Sequence, residues 1–237
     1  MRFRLHPSFS DKHSFLLNIE EHFLKSDASI HKARNEIKII DGFVVKAFKI
    51  PHIINKFAYA YLRDSKAKKS YLNALKIAQF TPKPLGYIEF FSFGLLEKSY
   101  FISEKFDYNF TIREPLEDTN FTDRESILKA LAQFTYDLHQ EGILHKDYSP
   151  GNILIKKTSI GYDFKIVDIN RMKFITLTRK KRLSNFTKLF AEDEDLKTIV
   201  YAYATLANFP QEEAYQESLL PSQKHRKALL KKWAKKR

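Results

Sequence analysis

The segment Ile143-Leu144-His145-Lys146-Asp147-Tyr148-Ser149-Pro150-Gly151-Asn152-Ile153-Leu154-Ile155 decides how the rest of the chain is read. It begins and ends on apolar residues and carries His145, Asp147 and Asn152 between them. Upstream, Ile127, Leu131, Phe134 and Leu138 recur at the spacing of a helix that buries one face, which predicts a helix from Asp123 to about Glu141. Thr122 or Asp123 is its expected N-cap, and Gly142 its C-terminal stop. Downstream, short strands are predicted over 153–156 and 164–167, separated by a loop containing Gly161. The second of them runs into Asp168.

The pattern His-x-Asp-x-x-x-x-Asn is the spacing of a kinase catalytic loop. A carboxylate there must reach an attacking hydroxyl. Five residues on, an amide oxygen must reach Mg²⁺ on the phosphates. Asp168 supplies a second acid at the end of a buried strand, where a carboxylate is costly unless something pairs with it. A divalent cation is the favoured partner; a simple Asx-turn that ends the strand is the alternative. His145 is read as structural.

Further out, Glu36–Ile40 and Phe43–Phe48 flank Asp41-Gly42, the signature of a hairpin, with Pro51 ending its second strand. Val44-Val45-Lys46 in that strand resembles the Val-Ala-Ile-Lys of a kinase's third strand. Alternation puts Val44, Lys46 and Phe48 on one face, so the ammonium needs an anion; Lys49 is the competing candidate. Residues 65–79 carry Ala67, Tyr71, Ala74, Leu75 and Ala78 at helical spacing, and Pro82 and Pro84 stop that helix. Tyr87–Phe93 and Ser99–Glu104 read as strands joined around Gly94, and the chain beyond Leu183 reads as helical. The expected fold is therefore α+β in two lobes. A strand-rich N-lobe with one helix spans 1–105, and a mainly helical C-lobe spans 106–237.

The stretch from Leu138-His139 to Asn152, with Asp168-Ile169-Asn170-Arg171 in place of Asp-Phe-Gly, resembles the lipopolysaccharide kinase (Kdo/WaaP) family. Thr81-Pro82-Lys83-Pro84 and the run Ser65–Tyr71 are similar to it as well. The resemblance implies a two-lobed protein-kinase-like fold, ATP with Mg²⁺ as donor, and a sugar hydroxyl of inner-core lipopolysaccharide as acceptor. On that pattern Asp147 orients and deprotonates the acceptor, and Asn152 and Asp168 hold Mg²⁺. Lys46 anchors the α/β-phosphates, and Lys146 offsets charge on the transferred group. Ser103–Phe106 is the expected hinge, meeting adenine at Glu104 and Phe106. Two departures stand out. Lys32–Glu36 replaces the glycine-rich phosphate loop, leaving Arg34 and Asn35 as side-chain donors. The first helix offers no glutamate for Lys46, only Asn73, with Asp64 at its start.

The composition sets outer bounds. With no cysteine, disulfides, thiolate catalysis and Cys-based zinc sites are excluded. The sequence shows no secretory signal and no apolar run of about 18 residues, so neither export nor a spanning helix is expected. The formal net charge of +13 is gathered in three clusters: around Lys56–Lys69, from Arg171 to Lys188, and in the tail Lys224–Arg237 with Trp233. Such a field favours an anionic partner. An anionic glycolipid and the inner face of a Gram-negative inner membrane, met peripherally, are the expectation. No nucleic-acid recognition motif appears, and the aromatics read as core. The rival readings are a kinase of another small molecule or of protein, and a pseudokinase or basic binding module. The absence of an Ala-Pro-Glu segment after Asp168 counts against a regulated protein kinase.

Overall fold

Asp41 and Gly42 both take positive φ, 50° and 79°, the backbone of a type I′ turn that matches the twist of two antiparallel strands. Phe93 and Gly94 repeat the device, with φ of 50° and 76°. In the computed structural model, which describes residues 1–32, 35–49, 59 and 62–234, these turns close the two hairpins of a six-stranded antiparallel sheet. The expectations placed on Arg34, Pro51, Lys56 and Lys235–Arg237 lie outside the described residues. By its internal packing the chain divides into two units, Met1–Phe106 and Asp107–Arg237.

The first unit runs β1 (Arg2–Leu5), a 3-10 segment (Pro7–Lys12), α1 (His13–Leu17), α2 (Ile19–Lys25), β2 (Ser29–Lys32), β3 (Glu36–Ile40), β4 (Phe43–Ala47), α3 (Lys66–Lys76), β5 (Pro84–Ser92) and β6 (Leu95–Glu104). The sheet order is β1-β5-β6-β4-β3-β2. Its two faces are covered differently. Leu16, Ile19 and Phe23 pack on Val45, Leu85, Ile88, Tyr100 and Ile102. On the opposite face, Ala67 and Tyr71 of α3 pack on Phe48, Tyr87 and Phe101. The Ser65 hydroxyl caps α3 by accepting the Lys68 amide at 3.0 Å. One helix was expected in this unit, and three α-helices are present among its described residues. The two missed helices are short and break at Asn18, so their periodicity is faint; burial of Leu16, Ile19 and Phe23 makes them. Leu75, expected on the buried stripe of α3, is 40% exposed.

The second unit contains β7 (Phe110–Thr111), α4 (Arg113–Glu117), α5 (Arg124–Gln140), β8 (Ile143–His145), β9 (Ile153–Thr158), β10 (Gly161–Ile166), β11 (Met172–Phe174), α6 (Arg179–Phe186), α7 (Asp193–Leu206) and α8 (Gln211–Ala234). Strands β10-β9-β7 form one small sheet and β11-β8 a two-stranded ribbon. Buried residues of α5 (Ile127, Leu131, Leu138) and α7 (Leu196, Ile199, Tyr203) supply its core. Gly142, with φ of 68°, ends α5 as expected.

The N-cap expectation at α5 is corrected. Asp123 occupies the cap position with φ of 60° and makes no capping hydrogen bond. Its carboxylate accepts instead from Lys157 Nζ at 3.0 Å and Tyr162 OH at 3.1 Å. The basic tail is also more firmly held than a solvated tail would be. Arg226 donates to the Ala191 carbonyl at 2.6 Å and to Asp193 at 2.9 Å, and lies 3.2 Å from Glu192. Trp233, half exposed, leans on Phe190 with ring centroids 5.2 Å apart. Among the described residues no helix is long and apolar enough to cross a membrane.

Candidate active site

The loop between β8 and β9 is fixed by hydrogen bonds at nearly every residue. His145 is buried, with its Nε2 3.0 Å from the Val167 carbonyl and its Nδ1 accepting the Asp147 amide at 3.1 Å. A carbonyl can only accept, so Nε2 carries the proton and the ring is neutral. Burial pushes the His145 pKa down and agrees with that assignment. Tyr148, fully buried, meets Thr135 Oγ1 at 2.7 Å, while that hydroxyl donates onward to the Leu131 carbonyl at 2.7 Å. Tyr148 is therefore the donor, and it pins the loop to α5.

Asn152 lies on the same scaffold. Its Nδ2 donates to the Asp147 carbonyl at 2.9 Å, its amide to Ser149 at 2.9 Å, and its carbonyl accepts from Val167 at 2.9 Å. One side-chain amide thus spans from the loop's acid to its own turn, and the Val167 bond ties both to the strand end that carries Asp168. Asp168 adopts φ of 57° and its side chain does not cap the turn it begins. Its Oδ1 accepts from Asn170 Nδ2 at 2.5 Å.

The Asp147 carboxylate is partly exposed, with the Arg171 guanidinium 3.9 Å away. Lys146 projects to solvent while its amide donates to the Arg171 carbonyl at 3.1 Å. One neighbour was not legible in the sequence. A Cβ built on Gly151 would lie 3.0 Å from the Arg113 guanidinium, so Arg113 sits against the loop. No motif marks it, and only the fold brings it there.

The remaining predicted residues belong to the first unit. Lys46 is half buried on the face that α3 covers, in register with Ile37 and Phe101, and its Nζ stands 5.4 Å from the Phe48 ring centroid. Its competitor Lys49 is exposed, and its amide is bonded to Asn35 Oδ1 at 3.3 Å. Helix α3 contains no carboxylate. Asp64, the nearest acid in sequence, pairs with Lys68 at 2.7 Å. The Glu104 amide donates to the Lys83 carbonyl at 2.9 Å, and Phe106 is the last residue of its unit.

As a cation site, Asp168 and Asn152 fit Mg²⁺ in kind. Both offer hard oxygen donors, and commitment of the Asn152 NH₂ to a carbonyl orients its Oδ1 as the free lone-pair end. Among the described residues no group of three or more His, Cys, Asp or Glu could hold a metal by itself.

The lipopolysaccharide kinase (Kdo/WaaP) family model matches residues 65–209, more than half of the chain and all of the loop just described. Among solved structures, the chain is similar to WaaP in complex with acyl carrier protein. That match has a TM-score of 0.62 at 14% identity, and covers 96% of this chain and 99% of that one. It is also matched to the bifunctional kinase-methyltransferase WbdD, with a TM-score of 0.47 at 16% identity over 96% of this chain and 46% of that one. No curated protein sequence matches. At such identity the first structure speaks for the fold, and that fold is the two-lobed α+β arrangement of a protein kinase.

Proposed function

The chain belongs to the lipopolysaccharide kinase (Kdo/WaaP) family, and on that premise we propose that it transfers the terminal phosphoryl group of ATP to a sugar hydroxyl, of Kdo or heptose, in the lipopolysaccharide inner core. The observation that carries the reading is the bond from Asn152 Nδ2 to the Asp147 carbonyl, which fixes the general base and a metal-binding amide as one unit. Asp147 accepts the acceptor's proton and aims its oxygen. The neutral His145, held at both nitrogens, keeps the Asp147 backbone in place. Lys146 stands beside the transfer path as a counter-charge for the phosphoryl oxygens. Lys46 anchors the α/β-phosphates, and Glu104 and Phe106 present backbone to adenine. Asp168 and Asn152 would hold Mg²⁺, which when bound neutralises phosphate charge and orients the nucleotide.

The absence of a carboxylate from α3 favours the rival reading, a pseudokinase that binds without turnover. An ATP-transfer assay on lipid A–Kdo acceptors, with protein acceptors alongside, separates the two. Transfer to the glycolipid that disappears in Asp147→Asn supports the proposal. Transfer to protein alone, or nucleotide binding with no transfer, overturns it. The place of action follows from the same reading: the inner leaflet of a Gram-negative inner membrane, reached peripherally through cations such as Lys231 and Lys232 beside Trp233, all exposed on α8.

A further inference from the structure

The ribbon of β8 and β11 has one buried and one open face, and the open face is cationic. His145 pairs with Met172 and Leu144 with Lys173. The next position pairs Lys146 with Arg171 through the amide-to-carbonyl bond of 3.1 Å. His145 and Ile143 point inward and are buried. Register places Lys173 beside Leu144 on the outer face; Lys146 and Arg171 follow and precede the two strands, joined by that backbone bond, and all three cations are exposed. Like charges opposite one another across a strand pair are destabilising. Asp147 meets Arg171 at 3.9 Å. Among the described residues Lys146 and Lys173 have no ion-pair partner. The expected general base is thus bordered by three exposed cations, of which it meets Arg171 itself.

We propose that Arg171 and Lys173 form a subsite for an oxyanion carried by the acceptor sugar, so that the enzyme selects acceptors bearing a carboxylate or phosphate next to the hydroxyl it phosphorylates. The inference rests on the kinase reading above and deepens it. The 3.9 Å approach of Arg171 to Asp147 limits the anion to the same sugar as the reacting hydroxyl. A guanidinium presents a planar fork that matches either oxyanion, and Lys173 adds a point charge from the neighbouring position on the face. Lys146 remains available to the transferred group.

The test is initial-rate kinetics of the full chain on two acceptors: a sugar acid, and the same sugar with its carboxylate reduced to an alcohol. Arg171→Ala is expected to collapse the preference for the acid, read as the ratio of kcat/KM values, by about tenfold or more through KM. Lys173→Ala should lower it by about threefold, and Arg171→Lys should restore part of the loss. A phosphorylated neutral sugar distinguishes the source of the oxyanion. Dependence of its KM on Arg171 makes this a general oxyanion subsite, and its absence makes it a carboxylate site. Equal losses on acid and neutral acceptors, or losses confined to kcat, would overturn the proposal and make Arg171 a positioning residue for Asp147. Wild-type transfer to neither acceptor would instead overturn the sugar-kinase reading, and the subsite with it.

Discussion

The loop of Asp147 and the strand that carries Lys46 each hold one charged group, and they do so by different means. The loop is held by hydrogen bonds of fixed direction: His145 at both ring nitrogens, Asn152 across to Asp147, Tyr148 down to Thr135. Lys46 is placed by sheet register and by aromatic side chains, with no carboxylate on the helix above it. The difference suits the chemistry proposed for each. A base must meet one proton along one line, whereas an ammonium near two phosphates can act as a point charge over a broader range of geometry.

That contrast can be broken most sharply at the loop. Asp147→Asn is expected to lower transfer by about a hundredfold or more while leaving the fold and ATP affinity nearly intact. A variant that kept most of its activity would place the base elsewhere. Asp168→Asn keeps a residue that tolerates the local backbone but weakens the oxygen charge. It should remove most of the Mg²⁺ dependence of ATP binding, measured by calorimetry with and without the metal. Unchanged linkage would return Asp168 to a purely structural part. On the strand side, Lys46→Met should weaken ATP binding by about tenfold, with Lys46→Arg recovering much of it if a diffuse charge suffices. Equal losses in Lys46→Arg and Lys46→Met would show that Lys46 is held as strictly as the loop.

A pH titration of stability probes the loop and the helix beneath it. His145 lies below its ordinary pKa because of burial, partly offset by the Val167 carbonyl and the nearby Asp147 and Asp168. His139, on α5 against Tyr203 with Arg182 beside it, is pushed down to about 3, again mainly by burial. Both are neutral when folded, and when unfolded they take up a proton near pH 6.5. Their stabilisation is therefore complete above that pH and is lost as pH falls through it toward the folded values. The slope is about 1.4 kcal/mol per pH unit for each histidine. Urea midpoints should fall between pH 7.5 and 5, and His139→Gln should flatten the fall. Glu89 and Asp195, raised by burial, act in the opposite sense as pH drops through the carboxylate range. A flat profile above that range would contradict the neutral assignment.

The smallest effect is expected at the tail. Because Arg226 ties α8 to residues 191–193, cutting the chain near Ser222 would damage the fold itself. The exposed pair Lys231→Glu and Lys232→Glu is the cleaner probe, each charge contributing about 1 kcal/mol near an anionic surface. Sedimentation with anionic vesicles should drop while turnover on a soluble acceptor stays put. Unchanged vesicle binding would remove the membrane contact.

Local chemistry was legible in the sequence, and tertiary partnership was not. Asp41-Gly42 and the apolar spacing of Ala67, Tyr71 and Ala74 are local signals, so the hairpin and α3 could be read directly. The His-x-Asp-x-x-x-x-Asn spacing likewise encloses its own hydrogen bonds, and the loop was found from it. Asp123 was misread because its carboxylate goes to Lys157 and Tyr162, more than 30 positions away. Arg113 was missed for the same reason. The short helices α1 and α2 owe their existence to the sheet they cover rather than to propensity.

Asp168 has one more consequence. Its φ of 57° is a left-handed backbone that costs an ordinary L-residue on the order of 1 kcal/mol and costs glycine nothing comparable. Asp is among the residues that adopt it most readily, so Asp168→Gly should change the melting temperature little while, on the proposed metal role, it removes transfer. On that role a thermal melt and a transfer assay read this position independently, the backbone in one and the carboxylate in the other.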